Sequence, residues 1–294
     1  MSVVDFGMYI QCPYRYALSR LMKLRAFEDR AREMEPLQFG TLAHDVLERF
    51  GRDERAAQST DPDEIFDTLV RILNDLSAQQ FGDSPLTAVR VQLAALEQRL
   101  RGFANLQATM RADGWTIQHC EWKIDGEAPL DLPDDAPMPL HGKIDRIDYN
   151  ERTGAWRIID YKTGEKPRSP HEAHHGKKNI PDGDSLEWAD LQLPLYHYLA
   201  KRLIPNINGS LELGYVALPR EADAADFLAA EWTDQHIDDA VDLARDIVRH
   251  IRRGEFPLNP EYDSSFDLFA RLCQTTTYAS EHPADADVDT EDAT

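Results

Sequence analysis

The stretch from His141 to Gly164 restricts the fold more than any other part of the chain. Two β-rich runs, His141–Tyr149 and Ala155–Lys162, flank the turn-rich segment Asn150–Gly154, and together they read as a hairpin. Facing residues in an antiparallel pair have numbers that add to a constant. If Tyr149 faces Trp156, then Asp145 faces Asp160. Side chains alternate faces along a strand, so Lys162 shares a face with Asp160. This register gathers two carboxylates and an ammonium on one small patch. Directly opposed carboxylates, with Cβ atoms about 4.5–5.5 Å apart, repel each other. A cation between them relieves the repulsion, and hard oxygen ligands of this kind suit Mg²⁺ or Mn²⁺. The same residues also fit an exposed hairpin with solvated charges.

The chain has 294 residues, of which 42% are hydrophobic, enough for one large core or two smaller ones. It contains no run of about 18 apolar residues, so no spanning helix and no membrane partner are expected. The first residues lack a basic n-region and an apolar h-region, so no secretory signal is expected either. Cys12, Cys120 and Cys273 do not make a disulfide framework, and a cytoplasmic location is the expectation. The net charge of -21 argues against a protein that coats nucleic acid non-specifically. Part of it lies in residues 279–294, which carry six acids and no Lys or Arg and read as a disordered acidic tail. The remainder is still acidic. Nucleic-acid contact would have to rest on a local basic groove and a bound metal.

Taken in order, residues 3–22 read as a helix interrupted near Pro13, and 23–37 as a charged loop. An amphipathic helix then runs to Phe50, with Thr41 as its N-cap and Leu42, Val46 and Phe50 at i+4 spacing. His44 lies on the margin of that stripe, ordinarily the place of a core-edge residue. Glu48, one turn on, is either a group that orients His44 or a solvated charge. Residues 62–81 and 85–112 read as two helices of an insert spanning about 60–113. Its Arg90, Arg99 and Arg101 are candidates for phosphate contact, against plain scaffolding. Trp115–Ile124 reads as a strand and Asp125–Pro139 as an acidic surface connection.

After Gly164 comes a locally basic region with Lys166, Arg168, Lys177 and Lys178, either a phosphate contact or a solvated flexible loop. His171, His174 and His175 are weak zinc candidates, lacking a Cys or an evident fourth ligand. Asp190 is placed to cap a helix in which Gln192 and Tyr196, at i and i+4, share a face. A strand at Leu211–Pro219, an edge strand near Phe227–Trp232 and a helix at Asp234–Arg253 ended by Gly254 follow. A short helix at Phe266–Leu272 comes last.

Asp145 and Asp160-Tyr161-Lys162, with Gly40-Thr-x-x-His44-x-x-Leu-Glu48 upstream and Gln192-x-x-x-Tyr196 downstream, resemble the PD-(D/E)XK nuclease superfamily in its RecB-type branch. Cys12-Pro13-Tyr14-Arg15-Tyr16 is similar to the opening of such domains. The resemblance implies an α/β (α+β) fold: a central mixed β-sheet flanked by helices, a restriction-endonuclease-like core with a helical insert, and a single domain over residues 1–278. It implies metal ligation by His44, Asp145, Asp160 and the carbonyl of Tyr161, with Asp145, Asp160 and Lys162 catalytic and Gln192 and Tyr196 substrate-binding. The implied activity is Mg²⁺- or Mn²⁺-dependent hydrolysis of DNA, as an exonuclease of repair or recombination. The DNA would be single-stranded or have a free end, with a helicase subunit as partner. The alternative is a non-catalytic DNA-binding or scaffolding subunit of a helicase–nuclease complex. Iron–sulfur members of the branch ligate a cluster with four cysteines. Cys12 and Cys273 alone cannot, so no cluster is expected and Cys12 reads as a small buried residue.

Overall fold

A computed structural model describes residues 1–24, 33–166, 168–175, 187–205, 207 and 210–259. The expectations for Lys177, Lys178, Phe266–Leu272, Cys273 and the tail 279–294 lie outside the described residues. None of the described helices is long and apolar enough to cross a membrane.

The chain opens with α1 (Val4–Gln11) and α2 (Pro13–Tyr16), followed by one π turn at Ala17–Leu21. The break falls at Cys12, extended in front of Pro13, as a proline that lacks its amide proton requires. Cys12 is fully buried. Helix α3 (Pro36–Arg52) begins earlier than Thr41. Glu35 and Gln38 form a capping box, Pro36 fills the first helical position, and the Thr41 hydroxyl donates to the Leu37 carbonyl within the helix. This strong start carries the helix through Gly40.

Helices α4 (Glu54–Ala57), α5 (Pro62–Phe81) and α6 (Thr87–Ala112) come next. Leu42, Val46 and Phe50 of α3 pack with Ile65 and Leu69 of α5 and Leu96, Leu100 and Phe103 of α6 in one apolar cluster. Each such side chain contributes about 1.5–3 kcal/mol by leaving water.

The five strands are β1 (Trp115–Asp125), β2 (His141–Asn150), β3 (Trp156–Lys162), β4 (Leu211–Ala217) and β5 (Asp226–Ala229), ordered as numbered. The first three form an antiparallel meander, β3 and β4 run parallel, and β5 returns antiparallel. Between β3 and β4 lie α7 (Pro170–His174) and α8 (Gln192–Leu203), and α9 (Asp234–Arg252) follows β5. A second apolar cluster joins Phe6 of α1, Ile144 and Ile158 of the sheet, Leu195 and Leu199 of α8, and Val241 and Val248 of α9. The result is the expected mixed sheet flanked by helices. The hairpin register also matches: Tyr149 pairs with Trp156 and Arg146 with Ile159, so the next step sets Asp145 against Asp160.

Three local expectations change. The connection 125–139 is not wholly at the surface: Leu130 and Leu132 are buried, Leu130 bridges Met138, and the Tyr198 hydroxyl donates to the Pro129 carbonyl. Its alternating leucines enter the core while its acids face out. Arg99 does not face a phosphate backbone. It is buried, and its Nη1 donates to the carbonyls of Thr163, Gly164 and Leu218, tying the insert to the ends of β3 and β4. Arg101 pairs with Asp63 at 2.7 Å and stacks 3.6 Å over the Phe66 ring.

At the other end of the contact between helix and sheet, a Cβ on Gly51 of α3 would come within 2.3 Å of Cys120 Sγ on β1. No side chain larger than hydrogen fits there without a shift.

Candidate active site

Register accounts for most of the site. On β1, Cys120 pairs with Arg146 and Trp122 with Ile144, which leaves Glu121 opposite Asp145. Asp145 in turn stands opposite Asp160, and Asp160 pairs with Tyr215. One row across four strands therefore holds three carboxylates. Glu121 has φ +50, a left-handed conformation that costs a non-glycine residue of order 1–3 kcal/mol and collects at functional sites.

Helix α3 sets His44 above this row, its ring edge-on to Tyr161 at 5.8 Å between centroids. His44 Nδ1 is 3.5 Å from Asp145 Oδ2 and 3.7 Å from Glu121 Oε1. Asp145 Oδ2 also accepts the Tyr161 amide at 2.9 Å. Asp160 Oδ1 accepts from Gln192 Nε2 at 2.8 Å, and its Oδ2 lies 2.7 Å from Lys162 Nζ. Glu121 pairs with Lys143. The Tyr196 hydroxyl donates to the Lys143 carbonyl at 2.8 Å. Helix α8 starts where Asp190 Oδ1 accepts the Gln192 amide at 2.8 Å, with Leu191 in the cap position, so Asp190 serves the role expected of it one residue early.

The structure thus brings His44, Asp145, Asp160, Lys162 and Gln192 together. Tyr196 is buried beside Gln192, within the field of Asp160 and Asp145, and its hydroxyl is bound to the backbone of β2. Glu48 pairs with Arg52 at 2.6 Å. Glu121 and Lys143 escaped the sequence reading. The only trace of Glu121 was an acid interrupting the apolar alternation of β1 between Cys120 and Trp122.

The electrostatics are those of crowded acids. Burial pushes the Asp160 carboxyl up to about 6, against the pull of Lys162 and with the push of Asp145. Burial lowers the His44 imidazole, but its close approach to the carboxylates of Asp145 and Glu121, with the charge of Asp160 nearby, outweighs that and holds it at about 10. Burial also disfavours the Lys162 ammonium, and Asp160 more than restores it.

Ligand atoms of His44, Glu121 and Asp145 all lie within 4.8 Å of one another. Opposed ligands on an octahedral Mg²⁺ stand about 4.2 Å apart, so these donors fit one hard divalent ion with little movement. A nitrogen among the oxygens also suits Mn²⁺. Among the described residues this is the only such group, and His171, His174 and His175 do not form one.

Nor is the histidine segment a solvated loop. Ser169 and Glu172 cap α7, and His174 and His175 are buried against Trp188 and Trp232. Their Nδ1 atoms face the carbonyls of Asp190 and Glu187 and must carry the protons. Burial lowers His174, takes His175 to about 4, and takes His197 of α8 to about 4. Between pH about 6.5 and 4 the unfolded chain binds protons at His175 and His197 that the native protein refuses, and the lowered His174 acts in the same direction, so stability falls as pH falls. Asp160, protonating earlier when folded, offsets one of the three below about pH 6. His44, raised when folded, contributes throughout this window. The net expectation in chelator is a melting temperature that drops steadily from pH 6.5 to 4. A flat or rising profile by scanning calorimetry would contradict it.

Behind the site, Arg146 and Asp148 of β2 are fully buried and joined by two 2.7 Å bonds, Nε–Oδ1 and Nη2–Oδ2. Arg146 Nη1 donates to Gln107 of α6, also 2.7 Å away. This pair braces the strand next to Asp145 from the opposite face.

A mixed sheet carrying opposed aspartates, an Asp-x-Lys strand and a histidine-bearing helix sets hard donor atoms for a divalent cation beside an ammonium group. The chain belongs to the PD-(D/E)XK nuclease superfamily, whose family model matches residues 1–278. It is 27% identical over 192 residues to a subunit of the ATP-dependent helicase/deoxyribonuclease of Symbiobacterium thermophilum. The corresponding subunits from Clostridium acetobutylicum and Clostridium perfringens are 26% and 24% identical over 194 and 196 residues. Each match covers 60% of this chain, which spans 16% of the relatives' length. A solved structure from Eubacterium rectale superposes with a TM-score of 0.48 at 13% identity, over 87% of this chain and 82% of the other.

Proposed function

We propose that the protein is a divalent-metal-dependent deoxyribonuclease, an exonuclease of DNA repair or recombination acting on single strands or free ends. The observation that carries this reading is the meeting of His44, Glu121 and Asp145 beside Asp160 and Lys162. His44, Asp145, Asp160 and the Tyr161 carbonyl would hold Mg²⁺ or Mn²⁺, with Glu121 as a further donor. When bound, the ion supplies water activation and charge neutralisation at the phosphate.

The chain's own residues do the rest. Lys162 holds the attacking water and places positive charge where the phosphate oxygens gain negative charge. Gln192 fixes the carboxylate plane of Asp160 and, being only half-buried, reaches toward the strand. Tyr196 keeps Lys143, and with it β2, in register with the site. An imidazole ligates only when neutral, so loading the site displaces the His44 proton. The names of the relatives support a helicase subunit as partner.

The test uses end-labelled single- and double-stranded DNA and RNA with Mg²⁺, Mn²⁺ or chelator. DNA should be shortened from an end only when metal is present. Cleavage that persists in chelator, or none with either metal, would overturn the proposal.

A further inference from the structure

Beyond Lys162 the site opens into a recess of about 240 Å³ lined by Lys162, Lys166, Arg168, Asp190, Tyr215 and Pro219, among others. We infer that this recess binds a terminal phosphate monoester of the strand being cut, so that the enzyme reads the chemistry of the end. The inference rests on the nuclease reading above.

Three observations point there. The first is charge: three cations line the recess against the single carboxylate of Asp190, in a chain of net charge -21. Asp190 already accepts the Gln192 amide. Among the described residues, neither Lys166 nor Arg168 is paired with a carboxylate, and Arg168 only donates to the Glu172 carbonyl at 2.9 Å. Two cations without acid partners match the charge of a monoester, about -1.5 to -2 at neutral pH, better than the single charge of a diester. The second is size: sites for whole drug-sized molecules occupy about 300–1,000 Å³, so this recess suits a group and not an entire nucleotide with its neighbours. The third is place: Lys162 belongs both to the recess and to the cluster, with its Nζ 2.7 Å from Asp160 Oδ2. A phosphate in the recess therefore sits next along the strand from one at the metal cluster. The recess is walled by Tyr215, Ala217 and Pro219 at the end of β4, which favours a terminus over a chain that continues.

Fluorescent single strands bearing a 5′-phosphate, a 3′-phosphate or hydroxyls at both ends separate the two sources of a monoester. Two readouts are taken: anisotropy in chelator, which needs no activity, and kcat and KM with Mn²⁺. One phosphorylated end should bind at least about tenfold more tightly than the hydroxyl end, with the gain in KM. In Lys166→Ala/Arg168→Ala that ratio should fall to near one, while a charge-matched surface control, Arg55→Ala/Arg71→Ala, keeps it. Equal affinity for all ends in the wild type, or a ratio unchanged in the double variant or lost equally in the control, overturns the inference. Wild-type protein that binds phosphorylated ends selectively but cleaves nothing would sink the nuclease reading and leave the recess standing.

Discussion

Lys162→Met should lower metal-dependent cleavage by about a thousandfold while the melting temperature stays within a few degrees of wild type. The magnitude follows from removing one preorganised charge from a site where phosphate charge develops. The fold should survive because the Lys162 side chain is 42% exposed and methionine keeps most of its aliphatic stem. What remains is Asp160, buried and already pushed up to about 6. Without the ammonium its carboxyl climbs further, so residual activity should shift to higher pH, where the carboxylate is ionised. Rate–pH profiles of the variant and wild type with Mn²⁺, alongside calorimetry, make the check. A variant with wild-type rates would remove Lys162 from the chemistry. One that loses rate only because it unfolds would leave Lys162→Arg to decide, since arginine keeps the charge.

The other large effect is expected on stability. Arg146→Leu strands Asp148, which is fully buried, and the Gln107 carbonyl oxygen with it. Breaking a buried pair by removing one partner costs about 3–5 kcal/mol. For a chain of this size that is a fall in melting temperature of roughly 10 °C. Replacing both partners is a different experiment: Arg146→Leu/Asp148→Leu should recover most of the loss, because no uncompensated charge stays inside. If the double variant is as unstable as the single, the packing of the arginine and not its charge is what matters. Activity should fall in Arg146→Leu as well, because Asp145 is the neighbouring residue on the strand.

Much of the site could be read from the chain because it is written in short periods. The two-residue period of strands and the constant sum of an antiparallel pair set Asp145 against Asp160 and Lys162. The helical period put Gln192 and Tyr196 on one face, and the stripe of α3 put His44 at its margin. The fold class followed from the resemblance that these residues carry.

What remained illegible depends on long-range contact. Arg146 and Asp148 look in sequence like the exposed charges of a hairpin, and only the arrival of α6 with Gln107 buries them. Arg99 gains its three carbonyl partners from the ends of two distant strands. Glu121 reaches the cluster through a left-handed backbone that no glycine announces. The early start of α3 shows a capping box and a proline overriding a Gly-Thr pair that reads as a boundary.

The tight seat of Gly51 on Cys120 would bear on which ion the proposed site accepts. His44 rides on the same helix seven residues earlier, two turns away, and Glu121 is the next residue along the strand after Cys120. The thickness of that joint would therefore act as a gauge on the gap between the nitrogen of His44 and the oxygen of Glu121. On the proposed reading, preference for a smaller or larger cation would then be tunable at Gly51, a residue that touches no ion.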